Sequence, residues 1–366
     1  MNSRERVRRA LKRDALPDRV PIQFDLCAPL LETFGAKYGI PLQYSPSYYE
    51  DLKFRISAND LRTAMGSDCV VVGGGLGRIF ELEEDADGLT VNEFGMKMRQ
   101  GPLYMEVVDS PLCEASSIAD IDRYQFPDPY DAARYVQAKT DIARYKDDYF
   151  IIGDCELTMF ELCWHLVGMQ KYMEALAYQE PYLEALLAKA FLWSLGIATE
   201  LAKGGVDAIW FGDDFGAQTG LMMSPQMWRR VFKPLYAQIF GAVKEIDPDI
   251  LIVMHSDGAV APLLPDLVEI GLEVFNPVQP NVPGHDPQEL KDRFGDQLSF
   301  FGAIDQQDLL PHGSVQEIEA DVRDKTAILG AGGGYMIAPA HIIQADTSPE
   351  NVEAFIAAAK KYGRYD

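Results

Sequence analysis

Two short stretches carry residue types that do chemistry. In ILIVMHSDG, residues 250–258, an apolar run of strand type ends in His255, one spacer and Asp257. Side chains alternate faces along a strand, so residues at i and i+2 point the same way. An imidazole and a carboxylate aimed together from the C-terminal end of a buried strand suit a metal ion or a proton-transfer pair. The same residues have a plainer use, with His255 bonded to a backbone carbonyl and Asp257 capping the next helix. The second stretch, GGGYMIAPAHIIQADTSPENV, places His341 in a loop after a short apolar strand. His255, Asp257 and His341 together make a two-histidine, one-carboxylate set, which binds Zn, Fe(II), Mn or Co and leaves coordination positions open. The chain has five histidines, at 165, 255, 285, 312 and 341, so two at strand ends is more than even scatter suggests.

These residues must be positioned by a scaffold, and the chain has a regular one. Strand-type runs occur at 20–25, 68–72, 149–153, 207–212, 250–255, 273–277, 299–303 and 334–338, with helical patterns between most of them. Most are continuously apolar, as parallel strands covered on both faces are. Eight such units imply an α/β fold of the (β/α)8 TIM-barrel type, with the active site at the C-terminal ends of the strands. The polar residues at those ends are Asp25, Asp154, Glu156, Asp213, Asp214, His255, Asp257, Gln279, Asp305, Gln306 and His341. Capping is the competing use of each, and Asp213 in GDDFG and Asp305 in GAIDQQD suit it best. Phe24, Trp210, Phe215 and Tyr335 are candidates for an aromatic pocket, with core packing as their alternative. Residues 78–108 alternate apolar and polar around Asp87-Gly88, which predicts a β-ribbon over or beside the barrel mouth. The expected organisation is one domain, 1–366, with that ribbon inserted after the second strand.

Composition narrows the function classes. The chain is 366 residues long and 48% hydrophobic, enough for a substantial core. With 33 basic and 56 acidic residues, a formal charge of -23, it repels nucleic acid and anionic membrane. The one basic cluster, RERVRRALKR, reads as the solvated face of an amphipathic helix. Five cysteines without C-x-x-C spacing read as reduced thiols. With no apolar run approaching about 18 residues and no signal-type N-terminus, a soluble cytoplasmic protein is expected. VVGGGLG and LGAGGG lack the order of a phosphate-binding loop, and no G-x-S-x-G elbow occurs.

Four blocks in order, RERVRRALKRDALPDRVPIQFD, GDDFGAQTGLMMSPQMWRRVFKP, HSDGAVAPLLPDLVEIGLEVFNPVQP and GGGYMIAPAHIIQADTSPENVEAF, resemble the uroporphyrinogen decarboxylase superfamily over nearly the whole chain. Its members are (β/α)8 barrels with two chemistries. The decarboxylases grip a porphyrinogen through an arginine-rich N-terminal motif, whereas VPIQFDLCAPLLETF has no arginine after Arg19. The other branch comprises zinc-dependent methyltransferases that act with the cobalamin of a separate corrinoid protein, through a motif similar to H-x-C and a distant cysteine before P-E-N. Here His255 is kept, and Asp257 and His341 stand where the cysteines would fall, followed by Pro349, Glu350 and Asn351. The resemblance therefore implies a metal site of His255, Asp257 and His341, harder than a thiolate site and suited to polarising an oxygen leaving group. It implies a methyltransferase, with Zn2+ or another divalent transition metal, that moves a methyl from a small O-methyl donor, such as a methoxylated aromatic, to Co(I) of a corrinoid protein. Glu156, Asp213 and Asp214 would supply a fourth ligand or orient the histidines. Phe24, Trp210, Gln279, Asp305 and Tyr335 would shape the substrate pocket. A homodimer is compatible with this reading. The rivals are a decarboxylase-like enzyme acting on porphyrins, which requires a basic pocket, and a noncatalytic binding barrel.

Overall fold

In the computed structural model, which describes residues 1–78, 80, 83–84, 88–101 and 105–365, the apolar runs assemble into one curled parallel sheet. Its seven strands are β1 (Cys69–Gly73), β2 (Phe150–Glu156), β3 (Ala208–Gly212), β4 (Leu251–His255), β5 (Val274–Val278), β6 (Ser299–Ile304) and β7 (Tyr335–Pro339). They pair in chain order, all parallel, in a TIM-barrel-like arrangement.

The run at 20–25 differs from expectation. It forms no ladder, only isolated parallel bridges from Ile22 to Ile337 and from Leu26 to Ile343. Pro21 has no N–H to give, although its carbonyl accepts from Ile337. On its other side the Ile22 carbonyl accepts from the Asp68 N–H, and the Ile22 N–H donates to the Asp68 carboxylate at 2.8 Å. The segment thus lies between the two edge strands and is held to β1 by a side chain.

Alternation along the strands sorts residues into two cores. Cys69, Val71, Phe150, Ile152, Trp210, Val253, Phe301 and Met336 share an inner cluster, joined by Val7 and Leu11 of the helix Ser3–Lys12. Val70, Ile151, Ile209, Phe211, Ile252 and Met254 face the surrounding helices. The basic N-terminal helix is therefore more than a solvated face, because it closes the N-terminal end of the sheet. Its arginines are also engaged: Arg4 pairs with Asp207 at 2.8 Å, and Arg6 with Asp18 at 2.7 Å and Asp68 at 2.8 Å.

Helix punctuation follows local chemistry. Ser224 caps Pro225–Val231 by accepting from the Met227 N–H, and Gly205, with φ 87°, ends Pro181–Gly204. After β2 the chain forms two helices, Phe160–Val167 and Met169–Tyr178, broken at Gly168, whose φ of 90° suits glycine. Pro181–Gly204 is, by length and composition, apolar enough to cross a membrane, which the sequence reading did not anticipate; 56% of its apolar stretch is buried inside the protein.

Between β1 and β2 lies a small antiparallel sheet of Glu83–Glu84, Thr90–Val91, Lys97–Gln100 and Met105–Asp109. Asp87, half of the expected turn, is outside the described residues. Phe94 packs on Trp193 with ring centroids 5.1 Å apart, and Glu93 pairs with the buried Arg134 at 2.5 Å.

Asp68 is the residue on which this closure turns, being 1% exposed and bonded to Ser3, Arg6, Arg19 and the Ile22 N–H. Asp68→Ala leaves the Arg6 guanidinium and a backbone donor buried without it, so the urea midpoint should fall by an amount equivalent to about 3 kcal/mol. A loss within experimental error would mean that packing and the backbone bonds suffice to hold the 20–26 segment.

Candidate metal centre

The inner-face parity that places Ile152 and Val253 inside also turns Asp154, Glu156 and His255 inward, at the C-terminal ends of β2 and β4. Gly212, the inward residue ending β3, makes room for one of them, since a Cβ there would collide with Cβ and Cγ of Glu156. His341 arrives from the loop after β7, and Asp257 from the loop after β4. One ligand atom from each of His255, Asp257 and His341 lies within 4.8 Å of the others, the only such group of three among the described residues. The ring centroids of the two histidines are 5.7 Å apart.

Charge surrounds His255. Its Nε2 is 3.7 Å from Asp214 Oδ1 and 3.8 Å from Asp257 Oδ1, while its Nδ1 is 3.7 Å from Glu156 Oε1. Burial opposes its protonation, but Glu156, Asp257 and Asp214 outweigh burial and raise its pKa to about 9. Desolvation and then Asp214 raise Asp257 to about 7. His341 moves the other way, well below its ordinary value, through desolvation and the nearby His255 and Arg55. It is thus a neutral imidazole, the form that ligates metals. Asp257 Oδ1 and Glu156 Oε1 are buried oxygens that accept no hydrogen bond. Buried carboxylate oxygens are ordinarily satisfied, and a cation coordinated to Asp257 would satisfy one of these. The donor set and this orphaned oxygen fit a divalent metal.

Sequence reasoning missed the groups beneath. Arg55, on the helix Glu50–Ser57, is 3% exposed; it pairs with Asp154 Oδ2 at 2.8 Å, Asp25 Oδ2 at 3.3 Å and Glu156 Oε2. Arg62, fully buried on the helix Asn59–Met65, pairs with Asp25 and donates to the Arg55 carbonyl at 2.8 Å. The Arg55 guanidinium lies 4.5 Å over the Trp210 ring. Asn276, also missed, bonds both Trp210 and His255. The available signal was two arginines set among apolar residues, Arg55 beside Phe54 and Ile56 and Arg62 after Leu61.

Of the other expected site residues, Trp210 lines the small cavity between Arg55, His255 and His341. Asp214 reaches the cluster and accepts from the Asp257 N–H at 2.7 Å. Asp213 does not: its carboxylate takes the N–H groups of Met159, Phe160 and Glu161 and the Tyr236 hydroxyl, capping the helix Phe160–Val167. Asp305 accepts from the N–H groups of Gln307 and Asp308 and from Asn281, and so holds the turn after β6. Gln279 shapes the β4 loop by accepting from the Gly258 N–H at 2.7 Å. Phe24 and Tyr335 belong to the outer core, because their strand parity turns them from the interior. Phe24 meets Phe355 edge-on at 6.5 Å, and the Tyr335 hydroxyl donates to the Gly302 carbonyl at 3.0 Å.

The profile of the family described as uroporphyrinogen decarboxylase (URO-D) matches residues 89–362. The chain belongs to the URO-D family. Among solved structures it is similar to a methyltransferase from Methanosarcina mazei, with a TM-score of 0.69 at 20% identity, covering 99% of both chains. Likeness at that identity establishes the fold. A 2,3-dimethylmalate lyase aligns with a TM-score of only 0.37 at 14% identity, over 93% of this chain and 81% of that one. No curated protein sequence matches the chain.

Arg55→Met would leave Asp25, Asp154 and Glu156 of this URO-D family member without their shared counter-charge. The urea midpoint at about pH 7 should fall by the equivalent of about 3–5 kcal/mol. Desolvation and then Glu156 already raise Asp154 to about 6, so protonation below that pH relieves the repulsion. The deficit against wild type should therefore shrink at about pH 5; a deficit that grows there would contradict this account of the charges.

Proposed function

We propose that this protein is a metal-dependent methyltransferase that moves a methyl group from a small O-methyl donor to Co(I) of a separate corrinoid protein. The observation that carries this reading is the convergence of His255, Asp257 and His341 within 4.8 Å at the C-terminal end of a TIM-barrel-like sheet. Family membership and the fold shared with the Methanosarcina mazei methyltransferase support it. Residues 1–366 are read as one (β/α)8 domain, with the 20–26 segment in the eighth position and the small antiparallel sheet as an insertion beside the mouth.

In this reading His255, Asp257 and His341 hold Zn2+ or another divalent transition metal. Bound there, such an ion supplies Lewis acidity to the donor's oxygen, which makes it a better leaving group. The chain's own residues do the rest. Asp214 is the fourth-ligand candidate, since it faces Nε2 of His255; Glu156 faces Nδ1 instead and is held by Arg55. Trp210 and Phe301 wall the cavity on its apolar side and exclude water from the reacting methyl. The arginines beneath the site, Arg55 and Arg62, are already paired with Asp25, Asp154 and Glu156 and are not free to grip a polyanionic porphyrin, which favours the methyltransferase over a decarboxylase.

Elemental analysis of untagged protein should find near-stoichiometric transition metal, lost in both His255→Ala and His341→Ala with circular dichroism unchanged. Wild type with metal should then demethylate a methoxylated aromatic in the presence of Co(I) cobalamin, followed by the absorbance of methylcobalamin. A protein that takes up no metal after reconstitution would sink this mechanism.

Binding should also be proton-linked. Ligands must shed their protons, and His255 at about 9 and Asp257 at about 7 both hold them at neutral pH. Zinc titrated into metal-free protein at about pH 7 should release between one and two protons, as read calorimetrically in buffers of different ionisation heat. Release should decline as pH rises through about 9, and apparent affinity should rise over the same interval.

A further inference from the structure

His255 has two ring nitrogens, and only Nε2 faces Asp257 and Asp214. Which nitrogen carries the proton decides whether that face presents a lone pair. We propose that Asn276, itself oriented by Trp210, is the positioning residue that keeps the His255 proton on Nδ1 and the lone pair on Nε2; its use for metal binding rests on the function proposed above.

An indole nitrogen can only donate. Trp210 Nε1 lies 3.1 Å from Asn276 Oδ1, so the amide must present its oxygen there and not its NH2 group. The same oxygen is 2.8 Å from His255 Nδ1 and can only accept, so Nδ1 is the protonated nitrogen. The amide NH2 turns the opposite way, toward the Phe301 carbonyl at 3.5 Å. Trp210 has little freedom to release its hold, with Arg55 at 4.5 Å and the Phe301 ring at 5.3 Å. Asn276 pairs directly with His255 across β4 and β5, so backbone register fixes the distance between the two side chains. All three residues are nearly fully buried. Outer hydrogen bonds of this kind fix the tautomer of metal-binding histidines. Trp210 accordingly belongs to the support of the site as much as to its cavity wall.

Nitrogen-15 long-range correlation spectra of the zinc-loaded protein read which ring nitrogen is metallated. Spectra of metal-free protein, at a pH where the ring is neutral, read the tautomer without reference to metal. Wild type should show zinc on Nε2 and a single Nδ1–H tautomer. Asn276→Leu should give mixed tautomers and a ~10- to 100-fold loss of zinc affinity by chelator competition. Asn276→Asp keeps an acceptor in place and should retain both the tautomer and the affinity. Trp210→Phe keeps the ring but lets the amide turn over, so it should lose tautomer selectivity; these two variants carry the test should Asn276→Leu not fold. A wild-type Nε2–H tautomer, or tautomer and affinity unchanged in Asn276→Leu and Trp210→Phe, overturns the proposal. A protein that binds no zinc yet shows the Nδ1–H tautomer refutes the metal reading while upholding the role of Asn276.

Discussion

Buried charge balance governs this molecule. Asp25, Asp154 and Glu156 are each less than a tenth exposed and lie close enough to share one guanidinium. Three desolvated carboxylates at that separation cannot all remain ionised unaided, because the interior strengthens their repulsion. Arg55 and Arg62 make the arrangement tenable. Their helices, Glu50–Ser57 and Asn59–Met65, are thereby drawn against the sheet from within as well as by apolar packing. Asp214 and Asp257 make no ion pair with either arginine among the described residues; His255 lies 3.7 Å and 3.8 Å from them, and Arg55 reaches Asp257 only as a more distant charge. The upper layer of the site thus carries an unmet demand for positive charge, directly above a lower layer in which that demand is met.

Strand parity converts this charge pattern into geometry. Once Ile152 and Val253 face inward, Asp154, Glu156 and His255 have no other choice, and Gly212 leaves the volume that Glu156 fills. The same rule removes Phe24 and Tyr335 from the interior. Seven of the eight apolar runs were legible as strands because parallel strands covered on both faces are apolar throughout. The eighth was legible as extended chain, but not as a bridging segment whose edge bond comes from Asp68. His255, Asp257 and His341 could be picked out because histidine is scarce and each ends or follows a strand. Asp213 and Asp305 suited a local structural use on sequence grounds, and the N–H groups they accept from give them one.

Arg55, Arg62 and Asn276 escaped sequence reasoning for a physical reason. An arginine on a short helix ordinarily faces water, and the acidic partners that bury Arg55 on the second strand are 99 and 101 residues away. Asn276 matters through a neighbour 66 residues earlier whose only polar atom is a donor. Such dependencies arise when strands distant in sequence become adjacent in the sheet.

The N-terminal helix has a consequence for traffic. With Val7 and Leu11 packed into the far end, the interior is closed there among the described residues, and the candidate site lies where the strands finish. In the proposed reaction the donor, the demethylated product and the cobalt centre would all use that end. The donor would have to be seated before the corrinoid protein arrives, and the product could leave only after it withdraws. Each turnover would then need one docking and one withdrawal of the corrinoid protein.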